Sequence, residues 1–293
     1  MTSDRQDISI SQLGVIEFLN CFSVLVVAGS VSTAYFFGNV FHTTLPLSFY
    51  WLLASTIWAI YTLDHILDGM KMKMQSVSIR HLIHYKYRKS ILPGLTALVI
   101  FNAYVAWMFL PNRIIIAGVV VSVVVLLYFI LVHYSTVKIT KEFFVSIVVC
   151  VGMVVLPGLY GDLSFSIVPA VLIVTMVLIN YSNLLLFSYF DYDSDVKNGL
   201  QSAATEWGEE KTKSVILYAL GTGFFTFFCW LLLIQSPVKL IVSVAFLLMF
   251  NILLILYIQE ERFSKDEQYR FWGDFIYLVP GLVWWLLSKQ TFF

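Results

Sequence analysis

The sequence predicts an all-α polytopic membrane protein of nine transmembrane helices. Three observations carry that prediction: the composition, a succession of long apolar runs, and the one-sided placement of the basic residues. Of 293 residues, 59% are hydrophobic and only 12% are charged, and the mean hydropathy is +0.84. A chain this apolar and charge-poor is expected to have lipid as its solvent.

A helix needs about 20 apolar residues to cross a bilayer. The first such run, near 17–38, follows a polar segment of mixed charge and is longer than the core of a typical signal peptide, so it is expected to be retained. Further runs lie near 45–68, 91–110, 114–134, 142–160, 166–190, 214–234, 238–258 and 274–289, with breaks such as Pro111-Asn112-Arg113 and Ser236-Pro237 between them. Nine crossings place the amino terminus and the loops after helices two, four, six and eight on one side. Of the 18 Lys and Arg residues, only Arg113, Lys239 and Lys289 then fall on the other side. The positive-inside rule makes the crowded side cytoplasmic and puts the carboxyl terminus opposite, in a multi-pass cell membrane protein. Residues 1–293 read as one transmembrane domain, with cytoplasmic segments at 1–14, 69–90 and 191–213.

The formal net charge is zero, and without a basic block nothing points to nucleic acid as a partner. Cys21, Cys150 and Cys229 each sit in an apolar run without metal-ligand spacing, so they are expected to be buried, inert thiols.

The informative charges are acidic. Helix two ends in Tyr61-Thr-Leu-Asp64-His-Ile-Leu-Asp68 and helix six in Phe187-Ser-Tyr-Phe-Asp191-Tyr-Asp-Ser-Asp195. Each carries two carboxylates at i, i+4, a spacing that places them on one helix face, where like charges repel. Both pairs also sit at carboxyl-terminal helix ends, where the dipole disfavours anions by about 0.3 to 1 kcal/mol each. Acids beside water are otherwise read as solvated caps. Two pairs under the same penalties point instead to a neutralising cation, and carboxylates that leave room for phosphate and water suit Mg²⁺. The separations Asp64 to Asp191 and Asp68 to Asp195 are equal, a repeat signal between two halves of the chain. The loop after helix two adds Lys71, Lys73, Arg80, Lys86, Arg88 and Lys89, which suit either phosphate binding or topology.

Other polar residues are assigned more ordinary roles. His81 and His84 are expected to be solvated at the interface, and His65 to point away from its flanking aspartates. Asn180 and Asn183 should hydrogen-bond between helices, and Asp193, off the face of its neighbours, should be solvated.

Three stretches resemble the UbiA superfamily of intramembrane enzymes that use isoprenyl diphosphates. Tyr61 to Asp68 resembles the second half of the family's Asn-x-x-x-Asp-x-x-x-Asp motif. Asp191-Tyr-Asp-Ser-Asp195-Val-Lys-Asn-Gly199, with the following Ala203-Ala-Thr-Glu-Trp-Gly208, is similar to its second aspartate motif. Tyr134-Ser-Thr-Val-Lys138 is similar to the tyrosine and lysine the family carries before helix five. Ile60 and Phe187 stand where the family has asparagine, and Gln201 where a basic residue is common, so the chain resembles a divergent member.

The resemblance implies a helical bundle around a central cavity open to lipid. It also implies Mg²⁺ on Asp64, Asp68, Asp191 and Asp195 as the catalytic and metal-binding set, and a diphosphate contacted by Lys71, Lys73, Arg80, Tyr134, Lys138 and Lys197. The implied reaction ionises an isoprenyl diphosphate and transfers the prenyl group to an aromatic or other lipophilic acceptor. A terpene cyclase of the same superfamily, without acceptor, and a non-catalytic transporter or membrane binding subunit are the alternatives.

Overall fold

The computed structural model describes residues 13–72, 79–134, 141–161 and 166–291, and among them every regular element is helical. Each apolar run lies on a helix or on a helix broken by a bend. The first becomes α1 (Val15–Cys21) and α2 (Val24–Val40). The next three are α3 (Leu47–Met72), α4 (Ile79–Phe109) and α5 (Asn112–Tyr134). The fifth comprises α6 (Lys141–Cys150), a π turn over Val151–Val155 and α7 (Leu156–Tyr160). The sixth is α8 (Ile167–Phe190), which leads into the short α9 (Tyr192–Asn198) and α10 (Ala203–Trp207). Two further runs form α11 (Glu209–Leu233) and α12 (Lys239–Ile258), followed by α13 (Glu260–Phe263). The last run is α14 (Gln268–Phe275) and α15 (Val279–Thr291).

Five single helical stretches are long and apolar enough to cross a membrane, and counting each bent pair as one span brings the number to seven. The protein is therefore membrane-embedded, because lipid-facing backbone must satisfy its own hydrogen bonds and a helix does so within one segment. Helix α3, diluted by Ser55, Thr56, Thr62 and its aspartates, falls outside that set, as does the apolar stretch Asn112–Tyr128 of α5.

Two of the breaks have local causes. Between α1 and α2 the chain turns by 69°, with Ser23 in the left-handed region at φ 54°. The π turn ends two residues before Pro157, which lacks the N–H that would bond back to Met153. A 44° bend separates α14 from α15.

The expected loop at 69–90 is largely helix instead. Helix α3 runs to Met72 and α4 already begins at Ile79, so Arg80, Lys86 and Arg88 sit on a helix. With 31 residues, α4 is longer than one crossing requires, and its basic first turns extend the rod beyond its apolar part.

In the core, α8 packs along α11 and α6, while α2 lies between α3 and α15. Phe36, Phe37, Phe227, Trp230 and Phe246 are fully buried there, and Phe227 stacks on Phe246 with ring centroids 5.4 Å apart. Two glycines let the carboxyl-terminal helices come close to α2 and α8. A Cβ on Gly29 of α2 would lie 2.6 Å from the Cβ of Tyr277. A Cβ on Gly273 of α14 would lie 2.6 Å from Asn183 Oδ1, and closer still to the ring of Phe187 on α8.

Candidate functional site

Five helical regions bring polar and charged side chains together in one cluster, a polar chamber in the sense of a shared electrostatic environment. Asp64 and Asp68 come from the last turns of α3, Arg80 from the first turn of α4, Lys141 from the start of α6, Asp191 and Asp195 from the junction of α8 and α9, and Tyr269, Arg270 and Asp274 from α14. The two aspartate pairs meet in the sense that Lys141 lies within electrostatic reach of Asp68, Asp64 and Asp195.

The second pair is built by local geometry. Asp191 caps α8 and the helical bonding continues through it, since Asp195 N donates to Asp191 O at 2.8 Å. Gly199 then ends α9 at φ 65°, with Leu200 N bonded to Asp195 O and Gly199 N to Val196 O, a Schellman turn that only glycine enters without strain. The next segment is pinned from both sides. Ser202 caps α10 in a reciprocal arrangement with Thr205, Ala203 N donates to Glu142 Oε1 at 2.9 Å, and Ala204 N donates to Ser188 Oγ at 2.9 Å.

The electrostatics of the two aspartates diverge. Tyr269 OH donates to Asp191 Oδ1 and Arg270 Nη2 to Asp191 Oδ2, while Arg80 Nη2 stands 4.0 Å from the same Oδ2. Burial pushes the Asp191 carboxyl up, but the two guanidiniums and these hydrogen bonds outweigh it and hold the group below its ordinary value. Burial and then the neighbouring Asp191 charge push Asp195 up to about 6, against the pull of Lys141, a hydrogen bond from Ser202, and Arg270.

Arg270 is held on all sides. The rings of Tyr269 and Phe187 lie 5.2 and 5.6 Å from its guanidinium carbon. Its Nε stands 3.4 Å from Glu267 Oε2 without hydrogen-bond alignment. Asn183 Nδ2 completes the α8 to α14 contact by donating to Gly273 O at 3.1 Å and Tyr277 OH at 3.3 Å.

Behind Arg80, His65, His81 and His84 form a buried cluster. Their ring centroids stand 5.3 Å (His65 to His81) and 5.1 Å (His65 to His84) apart. The expectation that His81 and His84 are solvated is therefore corrected: the early start of α4 turns them inward against α3. His65 faces them, away from the aspartates. Asn180 donates to Ser146 O at 3.3 Å, so both asparagines bond between helices. Asp193 is exposed. Cys21 and Cys150 are buried, whereas Cys229 is only partly so, a correction to its expected burial.

Of the expected diphosphate contacts, Arg80 borders the chamber and Lys197 is exposed on α9. Lys73 and Lys138 lie outside the described residues, as do the side chains of Lys71 and Tyr134. Lys141, Glu142, Tyr269 and Arg270 were not singled out from sequence. The available signals were a Lys-Glu pair opening an apolar run at 141–142, and an arginine flanked by aromatics at 269–272.

The chamber fits Mg²⁺ better in one part than in another. Asp64 and Asp68, which face Lys141, form a pair of the kind that binds Mg²⁺ when phosphate and water complete its shell. Asp191 fits less well, because each of its oxygens already accepts a hydrogen bond, from Tyr269 and from Arg270, which leaves the carboxylate neutralised by protein. Among the described residues no three His, Cys, Asp or Glu side chains gather in an arrangement suited to a metal ion.

Compared with models of protein families, with curated proteins and with solved structures, the chain gives no match.

Proposed function

We propose that the chain is an intramembrane prenyltransferase of the UbiA type, with nine crossings, a cytoplasmic amino terminus, and an active site in the polar chamber. The observation that carries this reading is the meeting of five aspartates, Asp64, Asp68, Asp191, Asp195 and Asp274, with three cations, Arg80, Lys141 and Arg270, where the ends of apolar helices converge. Charged groups gathered and buried at the ends of apolar helices mark a ligand or reaction site. Carboxylates with adjacent guanidinium and ammonium groups suit a ligand that brings both phosphate and a divalent ion.

In this reading Arg80, Lys141 and Arg270 bind and orient the diphosphate, with Lys71, Lys73, Tyr134, Lys138 and Lys197 as further contacts. Mg²⁺ on Asp64 and Asp68, when bound, supplies positive charge to the diphosphate oxygens as the allylic carbon to oxygen bond breaks. The apolar helices exclude water from the isoprenyl chain until a lipophilic acceptor captures it.

The Arg270 to Asp191 pair favours a second reading, a membrane subunit that binds an anionic ligand without turning it over, because part of the acidic cluster is already neutralised by protein. The deciding assay incubates the purified protein with Mg²⁺ and isoprenyl diphosphates of several chain lengths, and follows diphosphate release with and without aromatic acceptors. Acceptor-dependent release is the expected result. Release without acceptor, with a cyclic hydrocarbon, would make the protein a cyclase, and no release at any chain length would select the binding subunit.

A further inference from the structure

We propose that Asp191 is a positioning residue for Arg270 rather than a metal ligand, and that Arg270 and Arg80 together form a metal-independent grip on a phosphate group. The proposal rests on the reading of the chamber as a diphosphate site and changes what one of its aspartates does.

Arg270 is 8% exposed, so recruiting Asp191 to a metal would take from a buried guanidinium the carboxylate it donates to and leave it only Glu267, which is not aligned for a hydrogen bond. The surroundings favour the arginine. Phe187, one turn before Asp191, has no oxygen to offer a metal, and its ring instead faces the Arg270 guanidinium at 5.6 Å. Tyr269 occupies the second Asp191 oxygen and stacks on Phe190 with ring centroids 4.5 Å apart, so the carboxylate is clamped in place. Gly273, one turn further along α14, allows the close approach to α8 that this clamp requires.

Both arginines stand at this one carboxylate, and Arg270 also has Glu267 3.4 Å from its Nε. Arg80 directs its Nε to His81 Nε2 at 3.3 Å, which orients the fork of its terminal nitrogens toward Asp191. Each guanidinium has five N–H donors, more between them than Asp191 accepts, and their planar forks match phosphate oxygens. The site is reachable, since the side chains of Arg80 and Asp191 retain 18% and 19% of their accessible surface. A phosphate placed between the two arginines would bond to both while Asp191 holds Arg270 in position. The same chemistry serves the diphosphate of an isoprenyl chain and the phosphate of a lipid headgroup.

The test measures binding of inorganic pyrophosphate to the purified full chain, first with a chelator and then with Mg²⁺. Wild type is expected to bind without divalent ions. Arg270→Gln and Arg80→Gln should each weaken that binding by about tenfold or more, the worth of a charge-assisted hydrogen bond. Arg270→Lys should recover only part of it, and Lys213→Gln, on a remote surface pair, should leave it unchanged. Asp191→Asn should weaken chelator-resistant binding yet retain the gain from Mg²⁺, whereas Asp64→Asn should lose that gain. Should Arg270→Gln fail to fold, as judged by its melting profile, Arg270→Lys and Asp191→Asn carry the test.

Wild-type binding only with Mg²⁺, or loss of the Mg²⁺ gain in Asp191→Asn, would overturn the proposal. Pyrophosphate binding of the expected pattern with no isoprenyl turnover would leave the grip standing and remove the transferase reading. Short-chain phosphatidic acid that displaces pyrophosphate, in a manner dependent on Arg270, would support the grip and assign it to lipid; displacement by isoprenyl diphosphates alone would assign it to the substrate.

Discussion

The ring of Phe187 on α8 lies 5.6 Å from the guanidinium of Arg270 on α14, one helical turn before the aspartate to which that guanidinium donates. The contact joins two helices whose residues are far apart in sequence and sets the geometry of half the polar chamber. It depends on Gly273, which leaves room for the ring.

Gly273→Ala should therefore be destabilising. The added methyl has no space between Phe187 and Asn183, and overpacking of this kind costs about 1 to 3 kcal/mol. A lowered melting temperature checks this, and Phe187→Leu in the same chain should recover part of the loss.

Asp195 should make stability fall as the pH rises through about 6. Its folded value is raised above the ordinary carboxylate value of about 3.9. The folded state therefore binds the proton more tightly, and the stability this provides is complete below the unfolded value and gone above the folded one. Asp195→Asn, measured with a chelator present, should match wild type near pH 4. It should exceed wild type above pH 6 by up to about 3 kcal/mol, the worth of a two-unit shift. Equal pH profiles for the two proteins would contradict the assignment.

Glu142→Ala should loosen the segment at 199–207. It removes the acceptor for Ala203 N, and leaving a buried N–H without a partner costs about 1 to 3 kcal/mol. Glu142→Gln keeps an acceptor oxygen and should be milder. Faster proteolysis of that segment in Glu142→Ala than in Glu142→Gln is the expected readout.

Lys213 and Glu260 form a 2.6 Å ion pair, with about a third of each side chain accessible. Partly exposed pairs contribute roughly 0 to 1 kcal/mol, so Lys213→Met should shift the melting temperature little, and less at high salt. A large loss would show that the pair, with Tyr189 also donating to Glu260, acts as a buried network.

The helices were legible because lipid imposes a simple code: apolar runs with an internally bonded backbone. Asp64 and Asp68, and Asp191 and Asp195, were legible as pairs because i, i+4 spacing is local. Arg270 was not, since it lies 79 residues from Asp191 and in sequence is one more basic residue near a helix end. His81 and His84 were misplaced because a loop expected at 69–90 hid the first turns of α4.

The sequence by itself determined that this chain belongs in a membrane, that it is helical, and which acidic side chains share a helix face, since each follows from composition or from short-range periodicity. Only the tertiary structure decided which cation meets which carboxylate. That choice depends on how closely α14 packs on α8, and so on the absence of a single Cβ at Gly273.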